Sequence, residues 1–166
     1  MIEKSEYLAR IQKLGALMRE AGIDGVVLTA ESNIDYFSGF RHHAPWTLFA
    51  RPFFQIISAD GRSALLTHTF LEPEMRRTSA VTDIRTFAAS GDAPVAQVRE
   101  IMGELGIKGG KVGMELGYEQ RLGISLNDFR RFESELSPLL AVMTLVALGA
   151  SSEDWARRLA VTTRSS

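Results

Sequence analysis

Cysteine is absent from the 166-residue sequence, which excludes a disulfide framework and any thiolate zinc site while leaving the compartment open. Neither sign of charge predominates: 19 Lys and Arg are mixed along the chain with 20 Asp and Glu, for a net charge of −1. No basic stripe is therefore expected to bind nucleic acid or an anionic membrane. No apolar run approaches the roughly 20 residues needed to span a bilayer. The opening Met1-Ile2-Glu3-Lys4-Ser5-Glu6 is charged and lacks the apolar core of a signal peptide. Together these absences lead to the expectation of a soluble, cytoplasmic protein. Internal repeats and low-complexity linkers are lacking too, and the length suits one domain that buries roughly two thirds of its unfolded surface.

What is present is an alternation of helical and strand patterns. Tyr7, Leu8, Ile11, Leu14, Leu17 and Met18 recur at helical spacing, which predicts an amphipathic helix from Glu3 to Ala21 stopped by Gly22. Gly25 then turns the chain into a short apolar strand, Val26 to Leu28, of the kind buried on both faces. Phe53–Ile57 and Ser63–Thr67 flank Ala59-Asp60-Gly61-Arg62, an Asp-Gly turn that predicts an antiparallel hairpin. Thr69-Phe70-Leu71-Glu72 resembles a capping box opening a helix toward Arg77, and Val81–Phe87 alternates like a strand. Pro94 marks a helix start with Val95, Val98, Ile101, Met102 and Leu105 on one face and Gly106 beyond its end. Lys111–Glu115 reads as a strand, Ser125–Leu136 as a helix, and Leu139–Leu145 as a last strand or strand–helix junction. Ser151-Ser152-Glu153-Asp154-Trp155 could cap a final helix through Arg164, and the loop from Ala88 to Ala93 is too short to divide domains. The fold class expected is α/β, a mixed sheet flanked by helices.

The residues that carry chemistry are few. His42 and His43 are adjacent and would point apart, and His68 lies beyond the hairpin, so the three histidines fit no ligand spacing and no metal site is expected. Asp35 and Asp60 read as turn residues. No Gly-x-Ser-x-Gly elbow is present, so no catalytic site is assigned to the chain itself. The glycines Gly103, Gly106, Gly109, Gly110 and Gly113 run from helix to strand and include Gly110-Lys111-Val112. A phosphate-binding loop runs the other way and ends in Gly-Lys-Ser/Thr, so helix capping and turns explain them better.

One order of motifs is more specific. A helix ending in Met18-Arg19-Glu20-Ala21-Gly22 leads into Ile23-Asp24-Gly25 and the strand Val26-Val27-Leu28-Thr29. Asn33-Ile34-Asp35-Tyr36-Phe37-Ser38-Gly39-Phe40 follows, and Val112-Gly113-Met114-Glu115 comes about eighty residues later. This order resembles the N-terminal domain of the creatinase, prolidase (Xaa-Pro dipeptidase) and aminopeptidase P family. There the domain precedes a catalytic domain of the pita-bread metallohydrolase type. The resemblance covers about Leu8 to Pro138 and places a creatinase-like N-terminal domain over residues 1–150. Residues 151–166 would start an interdomain helix or tail, and the catalytic domain is not present. Family members usually carry Arg-x-x-Lys-Ser and acidic residues at that junction, whereas Leu148-Gly149-Ala150-Ser151-Ser152-Glu153 has neither the arginine nor the lysine.

The resemblance implies a ribonuclease H-like α/β fold, a homodimer, and an N-terminal domain that helps close the active site of the neighbouring subunit. It implies two divalent metal ions, Mn, Co or Zn, in the catalytic domain of peptidase relatives and none in creatinase-type relatives; this chain would hold no cofactor. In creatinase an aromatic-x-Arg after the Ser-Gly turn binds the substrate carboxylate across the dimer interface, and the matching positions are Phe49 and Arg51. Glu115 would be structural. The aromatic region Tyr36, Phe37, Phe40, Trp46, Phe53 and Phe54 is expected to be mostly core, with residues Phe40 to Phe54 as the candidate partner surface. The expected function is thus a non-catalytic domain for oligomerisation and for gating or substrate contact at a neighbour's active site. The alternatives are a free-standing binder or enzyme that uses Arg41, His42, His43 and Arg51, and a purely structural dimer module. Creatine, X-Pro peptides and other small amides all remain open as substrates.

Overall fold

The structure is a computed structural model that describes residues 2–41, 52–88, 93–107, 111–116 and 121–136. The first helix, α1 (Lys4–Glu20), buries Ile11, Leu14, Leu17 and Met18 of the stripe its spacing predicts, while Tyr7 is half-buried and Leu8 exposed in the first turns. Strand β1 (Gly25–Leu28) is buried at every residue, and a short helix, α2 (Glu31–Ser38), follows it. The hairpin forms as β2 (Phe54–Ser58) and β3 (Ser63–His68). A 3₁₀ turn (Thr69–Leu71) leads into α3 (Glu72–Thr78), then β4 (Ile84–Phe87), α4 (Val95–Glu104), β5 (Val112–Gly113) and α5 (Leu126–Glu135).

The strands form one mixed sheet in the order β4-β3-β2-β1-β5. β2 is antiparallel to both β1 and β3, with Val26 opposite Ile57 and Gln55 opposite Leu65. β4 runs parallel to β3 and β5 parallel to β1. Asp24 extends the β1–β5 pairing, because its backbone N–H donates to Lys111 O (2.8 Å) and its carboxylate accepts the Lys111 N–H (2.7 Å). Side chains alternate across the sheet. Val26, Leu28, Ile57 and Leu65 pack beneath α1, α2 and α3, while Val27, Phe54, Ile56 and Leu66 pack beneath α4 and α5. Phe132 of α5 is fully buried against Phe54, ring centroids 5.6 Å apart. The expected α/β sheet flanked by helices is therefore what forms.

The hairpin turn fastens both helical layers. Arg19 donates to Ala59 O and Gln12 Nε2 to Gly61 O (3.2 Å), tying the turn to α1. Arg62 donates to Glu104 O (3.0 Å) and Leu105 O (2.6 Å), so its charge sits on the carbonyl end of α4. Asp60 accepts from Ser58 Oγ and from Arg62 Nε (2.7 Å). The Ser58 hydroxyl, followed by Arg62, holds the Asp60 carboxyl below the usual aspartate range. A pKa lower in the folded than in the unfolded state contributes stability above the unfolded value, near 3.9, that is lost as pH falls through the folded one. Both partners are half exposed, so the contribution is below about 1 kcal/mol. In urea unfolding at pH 6 and at pH 3, Asp60→Asn is expected to be less stable than wild type at the higher pH only; an equal difference at both would contradict this.

Several expectations are corrected. Asp35 lies inside α2 rather than in a turn. Thr69 does not cap α3, because it closes β3 and its hydroxyl donates to Phe87 O (3.2 Å); His68 Nδ1 takes the Phe70 N–H instead (3.4 Å). The strand read over Val81–Phe87 begins only at Ile84, and of Lys111–Glu115 only Val112–Gly113 is strand, since the chain turns at Glu115, where the Leu116 N–H donates to Met114 O (2.9 Å). His68 is half-buried at the end of β3, its ring 4.5 Å from that of Phe70 and 5.8 Å from that of Phe87. Gly106, with φ 81°, ends α4 as its place in the glycine cluster suggested. Phe37, Phe40, Phe53 and Phe54 are buried, as expected of an aromatic core, while most of the candidate partner surface between Phe40 and Phe54 lies outside the described residues. Leu139–Leu145, the final helix from Ser151 and Trp46 lie outside the described residues. Among those described, no helix is long and apolar enough to cross a membrane.

Candidate functional site

The sequence motif Asn33–Phe40 is helix α2 and its exit, and this element leads to every candidate residue. Its N-cap, Ala30, has no side chain able to cap it. The cap comes from 85 residues away, where the Glu115 carboxylate accepts the Ala30 N–H (3.0 Å). Glu115 also accepts the Thr29 N–H (2.7 Å), the Thr29 hydroxyl (2.6 Å) and Asn33 Nδ2 (2.7 Å). It is 1% exposed, and a carboxylate at a helix N-terminus is favoured by the helix dipole as well as by these bonds. The Thr29 hydroxyl in turn accepts the Gly123 N–H (3.0 Å), so the loop before α5 joins the same node. A Cβ on Gly123 would overlap the Thr29 carbonyl oxygen, and that approach requires glycine there.

The C-terminal end of α2 is equally fixed. Gly39 takes a left-handed φ of 74° and donates to Asp35 O (2.8 Å), turning the chain sharply out of the helix. Ser38 Oγ donates to Ile34 O (2.6 Å) and accepts the Phe40 N–H (3.1 Å), while Ser38 O accepts Ala80 N–H (2.7 Å) and Ser79 Oγ (3.2 Å). Phe40 then packs edge-on against Phe53, centroids 5.5 Å apart. Arg10 braces the helix from α1, stacking 4.3 Å from the Tyr36 ring and donating to Tyr36 O (3.0 Å).

Arg41 is exposed, and its Nε (2.9 Å) and Nη2 (2.7 Å) both donate to Asp35 Oδ2. That carboxylate raises the pKa of the Arg41 guanidinium. Arg41 is thus partnered within its own turn of chain. Phe49, Arg51, His42 and His43 lie outside the described residues. Among the described residues no three His, Asp or Glu side chains converge as metal ligands, so their donor chemistry does not fit a metal centre. Glu115, read from sequence as structural, proves to be the pivot of α2. Its partner was present in the same motif pattern, since Asn33 and Glu115 are the two anchors of the resemblance and they touch.

The sequence matches the Creatinase/Prolidase N-terminal domain family over residues 10–147. The chain belongs to that family. No significant match to a curated protein is found. Among solved structures, the chain is similar to a dipeptidase from Pyrococcus horikoshii OT3, with 24% identity and a TM-score of 0.60 over 81% of this chain and 34% of that one. It is similar to the creatinase/prolidase N-terminal domain of an X-Pro dipeptidase from Streptococcus pyogenes, with 12% identity and a TM-score of 0.61 over 81% of this chain and 99% of that one. It is also similar to dipeptidase PepE from Mycobacterium ulcerans, with 18% identity and a TM-score of 0.65 over 96% of this chain and 38% of that one. At these identities the likeness establishes the fold. The chain spans about a third of the length of the two whole dipeptidases.

Proposed function

We propose that this chain is the non-catalytic N-terminal domain of an Xaa-Pro peptidase-like metallohydrolase, and that it serves oligomerisation and substrate contact at a neighbouring subunit's active site. One observation carries the reading: the chain matches nearly the whole of an isolated N-terminal domain, 99% of it, but only 34% of a complete dipeptidase. The metal-binding catalytic domain is not within these 166 residues. Any divalent metal would be bound there, and this domain's contribution to the reaction would be binding and orientation.

Phe49 and Arg51 are the residues proposed to reach the substrate. A guanidinium offers a carboxylate two parallel donors and keeps its charge at any working pH. An Xaa-Pro dipeptide ends in such a carboxylate beside the scissile bond. In the protein carrying the catalytic domain, Arg51→Ala is expected to raise KM for an X-Pro dipeptide by about 10-fold or more, the scale of one lost charge-assisted bond pair. Circular dichroism and Tm should stay unchanged. Unaltered KM and kcat would refute the assignment.

A further inference from the structure

We propose that Arg76 guards one edge of the sheet, keeping β4 from pairing with β4 of a second copy of this chain. β4 is the outermost strand on its side of the sheet that the described residues form. The Leu65 N–H donates to Asp83 O (2.8 Å), and Leu65 lies opposite Ile84. In a parallel ladder that register turns the N–H and C=O of Arg85 toward β3, and those of Ile84 and Thr86 outward. Outward-facing groups of this kind are a template for another strand. The template also complements itself in charge: an antiparallel pair centred on Ile84 would set Asp83 of each copy opposite Arg85 of the other.

Arg76 occupies the centre of that pairing. Its Nη2 donates to Ile84 O (3.1 Å), the acceptor a second strand would need. Glu72, one turn earlier on α3, accepts from Arg76 Nε (2.8 Å) and aims the guanidinium. α3 is itself fixed over the sheet, because Met75 is fully buried and the chain just beyond the helix is tied by the Ala80 N–H to Ser38 O (2.7 Å). The Arg76 side chain is half exposed, so it lies across the edge rather than inside the core. A charge placed there resists burial between two strands, and its bond must break before β4 can be extended. The guard acts whether or not Phe49 and Arg51 reach a substrate.

Sedimentation velocity of the 166-residue chain, with wild type as the baseline at each concentration, measures the effect. Arg76→Ala is expected to raise the self-association constant about 10-fold or more, the scale of one charge-assisted bond lost from the competing state. Glu72→Gln keeps the guanidinium but weakens its hold, and should give a smaller rise of about two- to threefold. Thr86→Pro in the Arg76→Ala background deletes an outward N–H and leaves the bonds to β3 in place, so association should return to the wild-type level. Hydrogen exchange locates the contact: at high concentration the Ile84 and Thr86 amides of Arg76→Ala should exchange about 10-fold or more slowly than at low concentration. Unchanged association in an Arg76→Ala chain that is folded by circular dichroism would overturn the proposal. So would association that survives Thr86→Pro, or that leaves those two amides unprotected. Should Arg76→Ala fail to fold, Glu72→Gln decides by the same two amides, whose protection must rise with concentration.

Discussion

Replacing Glu115 with alanine is expected to destabilise the domain by about 3–5 kcal/mol, with a fall in Tm of the order of 10 °C. The side chain is buried and accepts from two backbone amides, a hydroxyl and an amide group. Truncation leaves those donors without their acceptor. Each unpaired buried donor costs about 1–3 kcal/mol, partly relieved where water enters. Asn33→Ala removes one donor and leaves the carboxylate with the other three, so its cost should be closer to 1 kcal/mol. Urea unfolding of the two variants checks the ordering. Equal losses, or a loss below about 1 kcal/mol for Glu115→Ala, would mean that the carboxylate is not what holds α2.

Gly123→Ala comes next, at about 3 kcal/mol, and its origin is steric rather than polar. The added methyl would overlap the Thr29 carbonyl oxygen and lie 2.7 Å from the carbonyl carbon. Both are backbone atoms, and Thr29 is already fixed through its amide and hydroxyl by Glu115. The loop must therefore retreat, which breaks the Gly123 N–H bond to the Thr29 hydroxyl. Gly103 supplies the control. It lies within α4, where a methyl would meet nothing within 4 Å. Gly103→Ala should stabilise by about 0.5–1 kcal/mol, since alanine costs less backbone entropy in a helix. Thermal unfolding that placed the two variants alike would contradict the close approach at Gly123.

Periodicity made α1 and α4 legible, because each buries a stripe that its own residues declare. The Asp-Gly turn placed β2 against β3 without further information. α2 was not legible as a helix. It is short, carries Asn33 and Asp35 where helix formers would be clearer, and takes its cap from Glu115, which is distant in sequence. β5 was overestimated for a related reason, since the chain turns at Glu115, whose carboxylate serves α2 rather than extending the strand. At the candidate site, the motif pattern supplied both Asn33 and Glu115, but only the fold shows that they form one contact. The assignment of Phe49 and Arg51 came from family resemblance, and no pattern in the linear sequence could place them against a partner's active site.

The most direct test of the proposed function is complementation between subunits of the protein carrying the catalytic domain. One subunit bears Arg51→Ala and the other an inactivated metal site, and each is inactive or weak as a homodimer. Mixed in equal amounts under subunit exchange, they should regain about a quarter of wild-type activity, because half the dimers are mixed and each has one intact composite site. Failure to regain activity, with mixed dimers demonstrably formed, would show that this domain does not contribute its arginine across the interface.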